Sequence, residues 1–128
     1  MKLLLDTHAF IWWDDAPEKL SPTAFAACRD TRNTLHLSLA SAWEMQIKAQ
    51  LGKMRLPLPL GELLRKHREE NGLRLEGVSL PDILALSTLP AHHRDPFDRI
   101  LIAQAKRGGF RLVSCDPEIA RYDVEVLW

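Results

Sequence analysis

Four acidic residues stand at positions where an α/β protein exposes the side chains that bind its ligands. Asp6 directly follows the apolar run KLLL, and Asp116 directly follows RLVSC. Glu44 falls in the first turn of the helix predicted after LHLSL, and Asp98 in the first turn of the helix predicted after HHRD. Ligands bind outside the carboxyl ends of the strands in open α/β sheets. We therefore predict that these four carboxylates point into one crevice.

Four carboxylates in one crevice would repel one another strongly. Two of them about 4 Å apart repel by roughly 4 kcal/mol at an effective dielectric of about 20. They cannot all be ionised unless their pKa values rise or a cation compensates the charge. All-oxygen ligands without cysteine suit a hard cation, Mg²⁺ or Mn²⁺. One or two such ions lower the pKa of a bound water, which is the chemistry of metal-assisted phosphodiester hydrolysis.

Each acid also has a structural interpretation as helix punctuation. The S-x-x-E spacing of Ser41–Glu44 is that of a capping box. Asp95 precedes a proline, as an N-cap residue often does, and Asp98 lies at the third helical position, where the helix dipole favours a negative charge. Asp116 also precedes a proline, whereas Asp6 has no clear capping pattern. The two interpretations are compatible, because a helix N-terminus can keep a carboxylate ionised and directed at a metal.

Short apolar runs that alternate with helical patterns must position these acids. They predict a parallel sheet with helices on both faces, in one domain that spans residues 1–128. The predicted strands are Lys2–Leu5, Leu35–Leu39, Arg111–Cys115 and Asp123–Leu127, with Leu73–Val78 as a short strand or an extended connector. The predicted helices are a short one in HAFIWWDD, one opened by Ser21 and Pro22, then Ser41–Leu51, Leu60–Asn71, Asp82–Thr88 and Pro96–Arg107, with one or two turns at Pro117–Tyr122.

The composition is that of an ordinary globular protein. The chain has 128 residues, of which 46% are hydrophobic and 27% charged, and its formal net charge is zero. Bulk charge therefore does not indicate nucleic-acid binding, and any basic surface must be local. Cys28 and Cys115 have neither disulfide-framework nor zinc spacing, so we expect a reducing, cytoplasmic setting. No apolar run approaches the ~18 residues of a membrane span.

Other chemistries find little support in the sequence. No convincing Ser-His-Asp or Cys-His arrangement, Walker A sequence or Gly-rich dinucleotide loop is present. A haloacid-dehalogenase-type phosphatase needs a second aspartate two positions after the first, where this chain has His8. The adjacent acids and late lysine of a response-regulator receiver are also missing. A non-catalytic binding module, whose acids serve only as caps, remains the alternative.

The segments LLLDTHAFIWW, SLASAWEMQIKAQLGK, HHRDPFDRILIAQA and LVSCD follow one another along nearly the whole chain. In these segments the chain resembles the PIN-domain family, and within it the VapC-type toxin ribonucleases of bacterial toxin–antitoxin pairs. The most specific feature is HHRDPFDR before an apolar helix, downstream of a helix with W-E-x-x-x-K. One small departure is Ser114, where the family commonly has a threonine before the last aspartate.

The resemblance implies a three-layer α/β/α sandwich with a central parallel sheet, and a Mg²⁺- or Mn²⁺-dependent endoribonuclease that cuts RNA through a metal-activated water. The family's catalytic and metal-binding quartet maps onto Asp6, Glu44, Asp98 and Asp116. Asp6 and Asp98 match best as main ligands, and Asp116 binds directly or through water. Asp95 is a cap with an outer-shell role. The implied partners are RNA, a small cognate antitoxin and a second copy in a homodimer.

The other residues near the predicted crevice have competing interpretations. We expect His92 and His93 to pack within their loop, with a substrate-phosphate contact as the alternative and metal ligation least favoured. Packing or a helix-start role is also favoured for His8. Basic residues that could contact RNA phosphates are Lys48, Arg94, Arg99, Lys106 and Arg107. A solvated helix face is favoured for the last two, and an outer-shell or phosphate contact for Arg99. Core packing is expected for at least two of Trp12, Trp13 and Trp43.

Overall fold

The strands form one five-stranded, fully parallel sheet in the computed structural model, which describes residues 1–128. Its order is β3-β2-β1-β4-β5, so the first strand lies at the centre. The strands are β1 Lys2–Leu5, β2 Thr34–Ser38, β3 Arg74–Glu76, β4 Arg111–Val113 and β5 Val126–Leu127. The parallel sheet predicted from the alternating pattern is confirmed. The segment Leu73–Val78, predicted as either a short strand or an extended connector, contains the short strand β3.

Six α-helices connect and cover the strands. They are α1 Thr7–Asp15, α2 Pro22–Arg29, α3 Leu39–Gln50, α4 Leu60–Asn71, α5 Leu80–Ala85 and α6 Pro96–Gly108. Ser21 caps α2 as predicted, because its side chain accepts a hydrogen bond from the Ala24 amide. Gly72 and Gly109 follow α4 and α6 in the left-handed conformation that ends helices. None of the helices is both long and apolar enough to cross a bilayer.

The sheet separates two hydrophobic cores, as a three-layer sandwich requires. Alternate side chains of β1 enter different cores: Leu3 and Leu5 belong to one, Leu4 to the other. The first core is completed by residues of α1, α2, α3 and α4, such as Phe10 and Met45. The second is completed mainly by α6 and the C-terminal segment. The predicted α/β/α layering is confirmed.

The strand register aligns the carboxyl ends of the three central strands. Leu5 of β1 pairs with Leu37 of β2 on one side and with Val113 of β4 on the other. The residues that follow these three positions therefore lie side by side at one edge of the sheet. They are Asp6, Ser38 and Ser114. Two of the acidic positions, Asp6 and Asp116, thus belong to the same edge.

Two predicted helix starts were wrong for the same physical reason. Ser38 ends β2 and caps α3, with its hydroxyl accepting a hydrogen bond from the Ala40 amide at 3.1 Å, so α3 begins before Ser41. Ser79 caps α5 in a complete capping box with Asp82, so that helix begins at Leu80. In both places a serine upstream of the predicted start accepts a hydrogen bond from a free backbone amide, so the helix begins directly after that serine.

Candidate active site

Asp6 joins the central strand to the first helix. It is 6% exposed, and its Oδ1 accepts a hydrogen bond from the Ala9 amide at 2.7 Å, which makes it the N-cap of α1. The sequence did not reveal this capping role. Burial raises the pKa of Asp6, and the Asp116 charge raises it further, while hydrogen bonds from Ser114 and Ala9 offset part of the shift.

Glu44 lies in the second turn of α3, not the first, and it is buried. The predicted capping box of Ser41–Glu44 is therefore wrong, and the Ser41 hydroxyl is buried without a hydrogen-bond partner. The Glu44 carboxylate instead accepts hydrogen bonds from Thr7 Oγ1 and Lys48 Nζ, each at 2.6 Å. The bond to Glu44 also raises the pKa of Lys48. This contact explains why Lys48 lies in the crevice, where it neutralises a buried acid.

Asp95 and Asp98 open α6. Asp95 is the N-cap, as predicted, and its Oδ1 accepts a hydrogen bond from the Phe97 amide at 2.9 Å. Asp98 lies in the first turn and points into the crevice, where burial raises its pKa to about 7. Repulsion by Asp95, Asp6 and Glu44 adds to that rise, and His93 opposes it. The acids from α1, α3 and α6 therefore share one electrostatic environment.

Asp116 follows β4 after a short connector. Its Oδ1 accepts a hydrogen bond from the Glu118 amide at 2.9 Å, which closes a local turn. No helix begins there, because the next helical residues form only a 3₁₀ turn at Ile119–Arg121. The one or two turns predicted at Pro117–Tyr122 are therefore present, and the Asp116 carboxylate binds an amide at their start. Its other oxygen, Oδ2, faces His93.

His93 bridges two of the acids, which the sequence did not lead us to expect. Its Nε2 lies 3.0 Å from Asp98 Oδ2 and 2.9 Å from Asp116 Oδ2. Burial alone would lower the pKa of His93, but the hydrogen bond to Asp116 and the charge of Asp98 outweigh it and raise the pKa. His92 instead packs edge-on against the Tyr122 ring, with centroids 5.1 Å apart. Loop packing is thus confirmed for His92, whereas His93 belongs to the acidic cluster.

Arg99 holds the loop that carries His93. Its guanidinium donates to the carbonyl of Pro90 at 2.8 Å and to that of Leu86 at 3.2 Å. It also donates to the Tyr122 hydroxyl at 3.1 Å, and the same hydroxyl accepts from the His93 amide at 2.8 Å. Arg99 therefore contacts none of the four acids and acts on the cluster through this loop and the Tyr122 hydroxyl.

The remaining basic and aromatic residues divide between core and surface. Arg107 pairs with Asp82, while Arg94 and Lys106 are exposed and form no ion pair.

Trp12 and Trp13 pack against the first core, which confirms the expectation for two of the tryptophans. Trp43 is 63% exposed and its ring meets Phe97 edge-on, with centroids 5.4 Å apart. His8 is exposed and lies 5.9 Å from the Trp12 ring.

The donor set of the cluster fits a divalent cation. His93 Nε2 and one oxygen each of Asp98 and Asp116 all lie within 4.8 Å of one another. Asp6 and Glu44 are close enough to raise the pKa of Asp98 by repulsion. A cation would relieve that repulsion, and carboxylate oxygens are the ligands that hard divalent ions prefer. The structure thus places Asp98, Asp116 and His93 within ligating distance of one another, and it places Asp6 and Glu44 near enough to repel Asp98.

Comparisons with known proteins identify the fold and its family. A profile of the PIN domain matches residues 3–125. Ribonuclease VapC22 of Mycobacterium tuberculosis is 31% identical over 116 residues, which are 89% of this chain and 86% of that protein.

Solved structures with the same fold cover almost all of the chain. VapBC2 from Rickettsia felis, bound to a DNA fragment from its promoter, aligns with a TM-score of 0.70 at 13% identity, over 98% of this chain and 96% of that one. FitAcB from Neisseria gonorrhoeae aligns with a TM-score of 0.62 at 18% identity, over 97% and 95%. Fold, sequence profile and acidic cluster agree: the chain belongs to the PIN-domain family and has a VapC ribonuclease among its relatives.

Proposed function

We propose that this protein is a metal-dependent endoribonuclease and the toxin of a toxin–antitoxin pair. Residues 1–128 act as one catalytic domain, and the setting is cytoplasmic. The observation that carries the proposal is the convergence of four acids from separate parts of the chain, one of which, Asp98, has its pKa raised to about 7. The relative that is 31% identical is named a ribonuclease, which supports the reaction class.

Asp6, Glu44, Asp98 and Asp116 would hold the metal, Mg²⁺ or Mn²⁺, with Asp6 and Asp98 as the main ligands. A bound ion of this kind supplies an activated water and stabilises negative charge on the phosphate. The chain's own contribution is to fix the carboxylates. The start of α1 orients Asp6, and Thr7 and Lys48 orient Glu44. Arg94, exposed beside the cluster and without an ion pair, is the best candidate for a contact to an RNA phosphate.

A small antitoxin is the proposed protein partner. The solved structures with the same fold include VapBC2 and FitAcB, and a further one is FitAB bound to a DNA fragment. By analogy, we expect this chain to be isolated with a small partner when the two are produced together.

A homodimer is also proposed, and an apolar groove between α3, α5 and α6 supports it. The groove encloses about 580 Å³, and eight of its nine lining residues are hydrophobic. Trp43 and Ile83 in its wall are 63% and 49% exposed. Exposed apolar patches of this kind mark interaction sites, and tryptophan is enriched at the centres of interfaces. A second copy packed face to face would bury the same side chains twice.

The experiment that tests the function is cleavage of a mixed tRNA and rRNA pool by purified, antitoxin-free protein in Mg²⁺ or Mn²⁺. Cutting should disappear with EDTA and in Asp98→Asn. Asparagine keeps the size of the side chain and removes the charge. The circular dichroism spectrum of the Asp98→Asn variant should therefore match that of the wild type. Cutting that survives Asp98→Asn would contradict the assigned site. Failure of the wild-type protein to bind Mn²⁺ and to cut RNA would favour the non-catalytic binding module.

A further inference from the structure

We propose that His93 is a positioning residue that raises the affinity for the divalent cation by holding Asp98 and Asp116 in their ligating orientation. The inference rests on the proposed function, because it assumes that these two acids bind the metal. His93 is the side chain that touches both of them, at 3.0 Å and 2.9 Å from its Nε2. The hydrogen bond of Nε2 goes to Asp116 Oδ2, and Asp98 Oδ2 lies in close contact with the same nitrogen. The Asp98 carboxylate forms no hydrogen bond and no ion pair with any other residue, so this contact is the polar contact that it makes within the protein.

The other ring nitrogen determines which role His93 can take. His93 Nδ1 accepts a hydrogen bond from the Asp95 amide at 3.1 Å. An accepting nitrogen carries no proton, so the proton of the neutral ring lies on Nε2. Nε2 is therefore a donor that forms its hydrogen bond with Asp116 and lies 3.0 Å from Asp98. It has no lone pair for a metal, so the geometry assigns His93 to orienting the ligands and not to ligation.

The loop around His93 is fixed at several points, so the ring is not free to swing away. The His93 amide donates to the Tyr122 hydroxyl at 2.8 Å, and Tyr122 is itself buried in the second core. Arg99 binds the same hydroxyl and the carbonyls of Pro90 and Leu86. These contacts link the loop to α6 and to the C-terminal segment. They place Nε2 between the two carboxylates before any cation arrives.

A donor in this position favours metal binding in two ways. The partial positive charge of the N–H offsets part of the repulsion between Asp98 and Asp116, and the hydrogen bond limits the rotation of the Asp116 carboxylate. Each carboxylate keeps further lone pairs for a metal, because an ionised carboxyl group accepts at about four positions in total. Outer-shell donors of this kind typically contribute 10- to 100-fold to metal affinity. Preorganised ligands lose less conformational freedom when the ion binds.

The test is calorimetric titration of Mn²⁺ into metal-free, antitoxin-free protein. His93→Ala should weaken the Kd for Mn²⁺ by about 10- to 100-fold relative to wild type. His93→Gln should recover most of that loss, since its amide nitrogen reaches the place of Nε2 and can donate there. His93→Asn should not recover it, because its shorter side chain carries the amide near the place of Nδ1. His92→Ala is the matched control and should bind Mn²⁺ as the wild type does.

The outcomes separate this inference from the proposed function. Equal Kd values for wild type and His93→Ala would overturn the inference and leave the metal site standing. Tighter binding by His93→Ala would also overturn it, because the ring would then compete with the cation. A wild-type protein that binds no Mn²⁺ would overturn the proposed metal site itself. If His93→Ala does not fold in EDTA, the difference between His93→Gln and His93→Asn carries the test, and identical Kd values for that pair would refute the donor role.

Discussion

The hydroxyl of Thr7 donates to Glu44 Oε1 at 2.6 Å, across 37 positions of sequence. Both residues are buried, and the contact joins the first turn of α1 to the second turn of α3. Thr7 directly follows the N-cap Asp6, so the same turn of helix fixes one acid and orients another. The neutral side chain of Thr7 therefore helps to determine how a carboxylate is placed in the crevice.

Replacing Thr7 by valine should both destabilise the protein and slow RNA cleavage. Valine has the shape of threonine but leaves Glu44 Oε1 without its donor, which costs about 1–3 kcal/mol for a buried acceptor. The orientation of Glu44 is lost at the same time. Urea unfolding and cleavage rates measure the two effects. Thr7→Ser keeps the hydroxyl and should stay close to wild type in cleavage, and equal cleavage by Thr7→Val and wild type would contradict the role of this bond.

Asp98→Asn should stabilise the metal-free protein at high pH. Burial raises the pKa of Asp98 to about 7 in the folded protein, from the 3.8 of an ordinary aspartate. The unfolded chain therefore releases this proton at a lower pH than the folded protein does. Folding stability falls as the pH rises from about 4 to about 7. The stability advantage of Asp98→Asn should grow by about 2–3 kcal/mol between about pH 5 and about pH 8. Denaturant unfolding in EDTA measures it, and a pH-independent difference would argue against a strained carboxylate.

Trp43→Arg or Ile83→Arg should turn the proposed dimer into a monomer. Each change places a charge in the wall of the apolar groove, where a partner would leave it buried and unpaired. Light scattering coupled to size-exclusion chromatography gives the mass directly. Leu51→Arg is the matched control, because Leu51 is as exposed as Trp43, at 63%, and lies outside the groove. A wild-type protein of monomer mass would rule out the homodimer.

Asp14→Ala should destabilise the fold without affecting the crevice. Asp14 Oδ1 lies 2.6 Å from His67 Nε2, and the two side chains are only 5% and 6% exposed. His67 also accepts from Asn71 and lies against the Trp13 ring, so it joins α1 to α4. Loss of the acceptor should lower the free energy of unfolding by about 2–3 kcal/mol. Asp15→Ala, at the exposed neighbouring position, should have little effect in the same urea titration.

The strand-to-helix junctions could be predicted because local patterns determine them. Apolar runs such as KLLL form buried strands, and the acids after them reach the carboxyl edge of any parallel sheet. Asp95 as a cap and Asp98 in the first helical turn also follow from a few neighbouring residues. The start of α3 was predicted wrongly because two serines, Ser38 and Ser41, compete for the capping role. Only the end of β2 at Ser38 decides between them.

The role of His93 could not be predicted because distant residues determine it. The loop conformation depends on Tyr122 and Arg99, and the contact to Asp116 spans 23 positions. A histidine pair before a helix has no periodicity or spacing that would indicate such contacts. The one available signal was the position of His93, a few residues ahead of two acids at a helix start. That signal is too common in loops to distinguish packing from a functional contact.

The central place of β1 has a consequence for the order of synthesis. Asp6 and β1 are synthesised long before β4, so β1 must wait for β4 before its second edge is paired. Contacts between such distant segments form late, because the intervening chain must first be ordered. The acidic cluster is therefore incomplete until β4 and the Asp116 that follows it have been synthesised. A site built this way forms only after a segment about a hundred residues downstream of its first acid has left the ribosome.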